Sequence, residues 1–122
     1  CQKHLLKVCG DIKANNKVKT YWGDAFESIK KVKDSKYDKI FVDLNDDQFC
    51  IDLAAKNMKG LKRILKPGGI ITAQVGCMSK KPKQVKNWLE LLKNNFGNVT
   101  LDEIFIPSFD CKWNFASSSN KN

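Results

Sequence analysis

Tyr37-Asp38-Lys39-Ile40-Phe41-Val42-Asp43-Leu44-Asn45-Asp46-Asp47 is the stretch whose reading decides the fold. Its apolar centre is too short, and too rich in β-branched and aromatic residues, for a helix, so the spacing predicts a strand over 39–43. That strand runs into the carboxylates of Asp43, Asp46 and Asp47. In an open α/β sheet, ligands bind in the crevice outside the carboxyl ends of the strands. The acids are therefore candidates for ligand contact. The same residues also admit a plainer role, in which Asp43 caps the following turn and the others are solvated.

Outward from this stretch, strands and helices alternate. On the N-terminal side, Lys17-Val18-Lys19-Thr20-Tyr21-Trp22 alternates and predicts a strand, which Gly23-Asp24 breaks. Residues 25–32 follow as a helix with Phe26, Ile29 and Val32 on one face. Residues 1–10, with Leu5, Leu6, Val8 and Cys9 before Gly10, read as the end of an amphipathic helix carrying a surface His4. The chain thus begins inside a helix tail and is expected to be a piece of a longer protein.

On the C-terminal side, Ile51, Leu53, Ala54, Met58, Leu61, Ile64 and Leu65 mark a helix over 51–66, ended by Lys66-Pro67-Gly68-Gly69. Ile70 to Val75 is a continuous apolar run of the buried, parallel-sheet kind. Pro82 opens a helix with Val85, Trp88, Leu89, Leu91 and Leu92 as its inner stripe. Two strands, 99–106 and 113–117, are joined by a turn around Pro107-Ser108-Phe109-Asp110, and Ser118 to Asn122 form a polar tail. Alternation followed by two adjacent strands predicts an α/β fold: a mostly parallel sheet, helices on both faces, and a C-terminal antiparallel hairpin.

The composition narrows the function class. With 22 Lys+Arg against 13 Asp+Glu the formal charge is +9, a balance that can signal nucleic acid or a membrane surface. Here the lysines are spread along the chain, and Lys30-Lys31-Val32-Lys33 and Lys80-Lys81-Pro82-Lys83 lack interleaved aromatics. A solvated basic surface follows, and nucleic acid is not the expected partner. Cys1, Cys9, Cys50, Cys77 and Cys111 form no CxxC pair and fit no zinc spacing. Buried thiols in a reducing compartment are expected rather than a disulfide framework. No apolar run approaches the ~20 residues of a membrane span, so a cytoplasmic protein without a membrane partner is expected.

The order of motifs resembles the polyamine synthases, the aminopropyltransferases that make spermidine, spermine and thermospermine. Gly23-Asp24-Ala25-Phe26 is similar to the family's turn at the adenine end of the nucleoside. Asp43-Leu44-Asn45-Asp46 is similar to its Asp-x-x-Asp strand end. Leu65-Lys66-Pro67-Gly68-Gly69 through Thr72-Ala73-Gln74 resembles its helix-end-to-strand segment. Ile106-Pro107-Ser108-Phe109, with Trp113 and Phe115-Ala116-Ser117, resembles its C-terminal hairpin. The Leu-Lys-Pro-Gly-Gly piece alone is common among methyltransferases; Asp-x-x-Asp together with Ile-Pro-Ser-Phe is far more specific.

The resemblance implies the Rossmann-like fold of the AdoMet-dependent methyltransferases. Residues 1–122 would be the C-terminal portion of the catalytic domain, with the glycine-rich-loop strand and the N-terminal β domain absent and the sheet incomplete. The reaction implied is polyamine biosynthesis: aminopropyl transfer from decarboxylated S-adenosylmethionine, a co-substrate, to putrescine or a longer polyamine, with no cofactor and no metal. Asp43 would be the catalytic base. Asp46, Gln74, Phe109 and Trp113 would bind the acceptor, and Asp24 and Ala25 the nucleoside. A homo-oligomeric parent protein is implied, and little or no catalysis by the isolated chain.

This sequence departs from the family where Asp47-Gln48-Phe49-Cys50 replaces a Pro-containing gate loop, and where Phe109 stands at a position often held by Tyr. Each residue keeps a plainer alternative. Asp24 can be a helix N-cap, Gln74 can be satisfied by backbone, and Phe109 and Trp113 can be core. Two further readings stay open: an AdoMet-dependent methyltransferase of small molecules, and a degenerate non-catalytic regulatory or binding module.

Overall fold

The computed structural model describes residues 4, 7, 10–45 and 47–121. The helix expected over 1–10 falls largely outside them, as does Asp46; His4 is exposed. In order come α1 (Ala25–Lys30), β1 (Tyr37–Val42), α2 (Gln48–Ile64), β2 (Leu65–Cys77), α3 (Pro82–Phe96), β3 (Val99–Ile106), a 3₁₀ turn (Pro107–Phe109) and β4 (Cys111–Ser119).

The sheet order is β1-β2-β4-β3. β1 and β2 pair in parallel, with Phe41 opposite Thr72 and Val42 opposite Ala73. β2–β4 and β3–β4 are antiparallel. The described sheet is therefore mixed, with one parallel and two antiparallel pairings, and the strand expected over 17–22 is not among its strands. Those residues are exposed coil, with Trp22 at 89%. Strand backbone needs a ladder partner for its N–H and C=O groups, and among the described residues this segment pairs with none.

The core explains the helices. Ile51, Ala54, Met58 and Leu61 recur at helical spacing along α2, and Val85, Trp88, Leu92 and Phe96 along α3. All pack on Ile71, Ala73 and Val75 of β2 and Ala116 of β4. Burying each large aliphatic or aromatic side chain contributes about 1.5–3 kcal/mol. Phe26 and Ile29 of α1 pack against the same cluster. Helices were expected on both faces; the described ones lie on this face. The opposite face carries Phe41, Ile70, Thr72, Gln74, Trp113 and Phe115, none of them fully buried.

Local chemistry sets the boundaries. α1 stops at Lys30, short of the expected Val32, as Lys31 and Val32 donate to Ser28 and Ile29 carbonyls in a tighter turn. Arg63 then caps α1 from α2, donating to the carbonyls of Val32 (2.7 Å) and Ile29 (2.9 Å), where the helix dipole favours a cation. β2 starts earlier than the expected Ile70. Gly68 has φ +75°, and a Cβ on Gly69 would come within 2.9 Å of the Asp38 carbonyl and 2.7 Å of Leu65, so glycine lets β2 lie against β1.

Two further expectations are corrected. The polar tail is partly structural: Ser118 and Ser119 belong to β4, and Asn120 is buried, donating through Nδ2 to the Leu65 carbonyl at 3.0 Å. Cys77 and Cys111, expected as thiols, are joined in a disulfide, with Cα atoms 6.3 Å apart. They are 34 residues apart in sequence, but antiparallel pairing sets the end of β2 beside the start of β4. Cys50, expected as a buried thiol, keeps its thiol but is only half-buried in α2.

Candidate functional site

β1 ends at Val42, so Asp43 is the first residue beyond the strand, exposed at its carboxyl end. A cavity of about 730 Å³ opens there. Asp43, Leu44 and Asn45 form one side. Thr72 and Gln74 of β2 and Phe115 of β4 form the floor, and Phe41, Ile106, Phe109 and Trp113 form apolar walls.

The hairpin positions the aromatic wall. Pro107 fixes the first residue of the 3₁₀ turn, and Asp110 adopts a left-handed conformation (φ +46°) that sends the chain back into β4. Phe109 thereby meets Trp113, with ring centroids 4.4 Å apart and planes tilted by 39°. Lys80 donates to the Phe109 carbonyl at 3.0 Å, tying the turn to the loop after β2.

Gln74 joins the two sides. Its Nε2 donates to the Leu44 carbonyl, and its Oε1 accepts from Trp113 Nε1 at 2.7 Å. On the floor, the Thr72 and Ser117 hydroxyls share a hydrogen bond of 2.9 Å.

Asp43, Gln74, Phe109 and Trp113 thus line one cavity, while Asp46 lies outside the described residues. A neighbouring groove of about 460 Å³ shares Asp43 and Leu44 and reaches Ala25 and Phe26. Asp24 lies one step further, in a groove of about 810 Å³ with Tyr21, Trp22 and Ala25. Its carboxylate is the N-cap of α1, accepting from Phe26 N at 2.8 Å and Glu27 N at 3.2 Å. The plainer role of Asp24 is therefore realised, and it presents the α1 terminus to the groove.

The other acids divide by role. Asp47 caps α2, accepting from Cys50 N at 2.8 Å. That hydrogen bond, aided by the charge of Lys81, holds its carboxyl below the usual carboxylate range. Asp52 accepts from Gln48 Nε2 at 2.8 Å. Asp47, Asp52 and Asp110 do not line the main cavity, so of the described acids Asp43 is the one that does. Among the described residues, no group of three or more His, Cys, Asp or Glu is placed to hold a metal ion, and no helix is long and apolar enough to cross a membrane.

Phe41, Asn45, Thr72, Ile106 and Phe115 join the cavity lining without having been given a site role in the sequence. The period-two alternation of strands carried the signal for three of them: Phe41, Thr72 and Phe115 point away from the face that takes Ile40, Ala73 and Ala116.

A domain model described as spermine/spermidine synthase domain matches residues 1–122. The chain is 32% identical over 130 residues to a polyamine aminopropyltransferase of Prochlorococcus marinus strain MIT 9215, covering 99% of this chain and 44% of that protein. Its counterpart from strain MIT 9301 is 31% identical with the same coverage. Among solved structures, spermidine synthase from Thermotoga maritima superposes with a TM-score of 0.74 at 17% identity, covering 99% of this chain and 39% of that one. A spermidine synthase in complex with the transition state analogue AdoDATO gives 0.82, also at 17%, covering 99% and 42%. The chain spans less than half the length of these relatives.

Proposed function

The chain belongs to the spermine/spermidine synthase domain family, and from that premise we propose that it is the C-terminal portion of an aminopropyltransferase catalytic domain. The reaction is transfer of an aminopropyl group from decarboxylated S-adenosylmethionine to an amine of putrescine or a longer polyamine. The observation that carries this reading is Asp43 at the end of β1, where an aromatic-walled cavity meets the groove leading to Ala25.

The chemistry asks little beyond that geometry. The donor's sulfonium already makes the adjoining methylene electrophilic. The amine lone pair attacks that carbon, the carbon–sulfur bond breaks with its electron pair going to sulfur, and the thioether nucleoside leaves. An alkylammonium with a pKa of ~10 must first lose a proton, and Asp43 receives it. Asp46 holds a cationic amine near Asp43. Phe109 and Trp113 wall the methylene chain, Gln74 lines the slot, and Asp24 and Ala25 meet the nucleoside. Alignment in the slot supplies much of the remaining acceleration. The reading requires no metal and no cofactor, and it takes the parent protein to be cytoplasmic and homo-oligomeric.

Electrostatics agree. Both substrates are cations and the chain carries +9, so binding needs a local reversal of field. Among the described residues lining the cavity Asp43 is the ionisable one, and at physiological salt a screening length of ~8 Å keeps remote lysines from cancelling it. Isothermal titration with 5′-methylthioadenosine, then spermidine, tests the reading. Saturable binding of spermidine that Asp43→Asn weakens is expected. Preference for AdoMet over its decarboxylated form would turn the assignment to a methyltransferase.

A further inference from the structure

We propose that Gln74 is a positioning residue, a two-ended latch that holds the Asp43–Asn45 loop at a fixed distance from the aromatic hairpin, and not a side chain that grips the acceptor amine itself. This rests on the reading above and deepens it by assigning Gln74 a different task in the same site.

The argument comes from the valence of the two partners. Trp113 Nε1–H can only donate, and the Leu44 carbonyl can only accept. The Gln74 amide therefore has one permitted orientation, oxygen toward Trp113 and nitrogen toward Leu44. β1 and β4 are not neighbours in the sheet; β2 lies between them. Gln74 stands on that middle strand and reaches the loop after β1 on one side and Trp113 of β4 on the other. Its bonded carbonyl and amide leave one N–H and one lone pair, and the side chain is half-buried.

The latch extends further on each side. Trp113 is stacked by Phe109, whose own carbonyl is held by Lys80. Leu44 directly follows Asp43, so the position of the carboxylate depends on the Leu44 carbonyl. Cutting either bond should let the slot widen, shifting Asp43 relative to the wall that aligns the amine.

The test is a double-mutant cycle on the 122-residue chain, read by backbone amide NMR. Trp113→Phe keeps a ring for Phe109 and deletes the N–H. It should shift the Leu44 and Asn45 amides, and the same change made in Gln74→Leu should leave them where Gln74→Leu alone put them. Gln74→Glu is the companion variant. Its carboxylate still accepts from Trp113 but offers no proton to Leu44, so the Leu44 amide should shift while the Trp113 indole N–H stays protected from exchange. Leu44 and Asn45 amides indifferent to Trp113→Phe, or equally perturbed in both backgrounds, would overturn the latch.

Spermidine titration separates the latch from direct contact. Trp113→Phe and Gln74→Leu should each weaken binding about tenfold, and the pair no more than either. A multiplicative loss of about a hundredfold would place Gln74 on the amine and overturn the proposal. A wild-type chain that does not bind spermidine refutes the functional reading, while the amide shifts still decide the latch.

Discussion

Phe109 and Trp113 face each other with ring centroids 4.4 Å apart, so the apolar wall is made by the turn and by the strand that leaves it. A tilted aromatic pair contributes about 0.5–1.5 kcal/mol beyond its buried area. Phe109→Ala should weaken spermidine binding several-fold while leaving the thermal midpoint within a few degrees, since Phe109 is half exposed. Phe109→Tyr should retain affinity. A large loss of stability in Phe109→Ala would mean that the pair is core and not wall.

Asp43→Asn keeps the shape of the site and removes the base. In a longer protein carrying this domain, it should lower kcat for aminopropyl transfer by about 10²–10⁴-fold, with the fold unchanged by circular dichroism. Retained activity would remove Asp43 from the chemistry.

The disulfide gives a stability prediction. A cross-link closing a loop of 34 residues is expected to contribute about 2–4 kcal/mol, chiefly by restricting the unfolded chain. Cys77→Ser together with Cys111→Ser should lower the denaturant midpoint and raise its slope, because the unfolded chain without the cross-link exposes more surface. Dithiothreitol should do the same to the wild type and nothing to the variant. Equal sensitivity of both proteins to reductant would show that this pair is not the source.

Much of the fold was legible because burial writes its period into the chain. Ile51, Ala54, Met58 and Leu61 fixed α2, and Ile71, Ala73 and Val75 fixed β2, since each faces the same core. Lys17–Trp22 misled for the opposite reason: alternation describes a strand's two faces but not the neighbour it must bond to. The Cys77–Cys111 pair was invisible because the β2–β4 pairing that unites them is a long-range property. At the site, Asp43 was marked by its place at a strand's carboxyl end, and Phe109 and Trp113 through a resemblance. The bridging role of Gln74 was not, because its partners, Leu44 and Trp113, lie 30 and 39 residues away.

Trp88 is buried in α3 with 1% exposure, and its Nε1 finds no hydrogen-bond partner among the described residues. An unmet buried donor costs about 1–3 kcal/mol. Trp88→Phe deletes that donor along with part of the ring, so cavity loss and donor removal offset each other and the net change should stay within about 1.5 kcal/mol. Trp88→Ala has no such compensation and should cost about 3–5 kcal/mol. Chemical denaturation of both variants checks the difference. Similar losses in the two would mean that a partner for the indole exists.

Acid should destabilise the fold through Asp47 and Asp38. The Cys50 N–H holds the Asp47 carboxyl below its ordinary value, and the Lys66 ammonium, 2.8 Å away, does the same for Asp38. A folded pKa below the unfolded one, about 3.9, means that the folded state binds fewer protons as pH falls through this range. The stabilisation is present above the unfolded pKa and is lost as pH drops through the folded values. The melting temperature should therefore stay level from neutral pH to about 5 and decline below about 4. Both groups are exposed, so the decline should be shallow and should shrink further in high salt. Asp47→Asn retains an oxygen that can cap α2 but cannot titrate, so its melting curve should fall less steeply with acid than that of the wild type. An unchanged acid slope would assign the effect to other carboxylates.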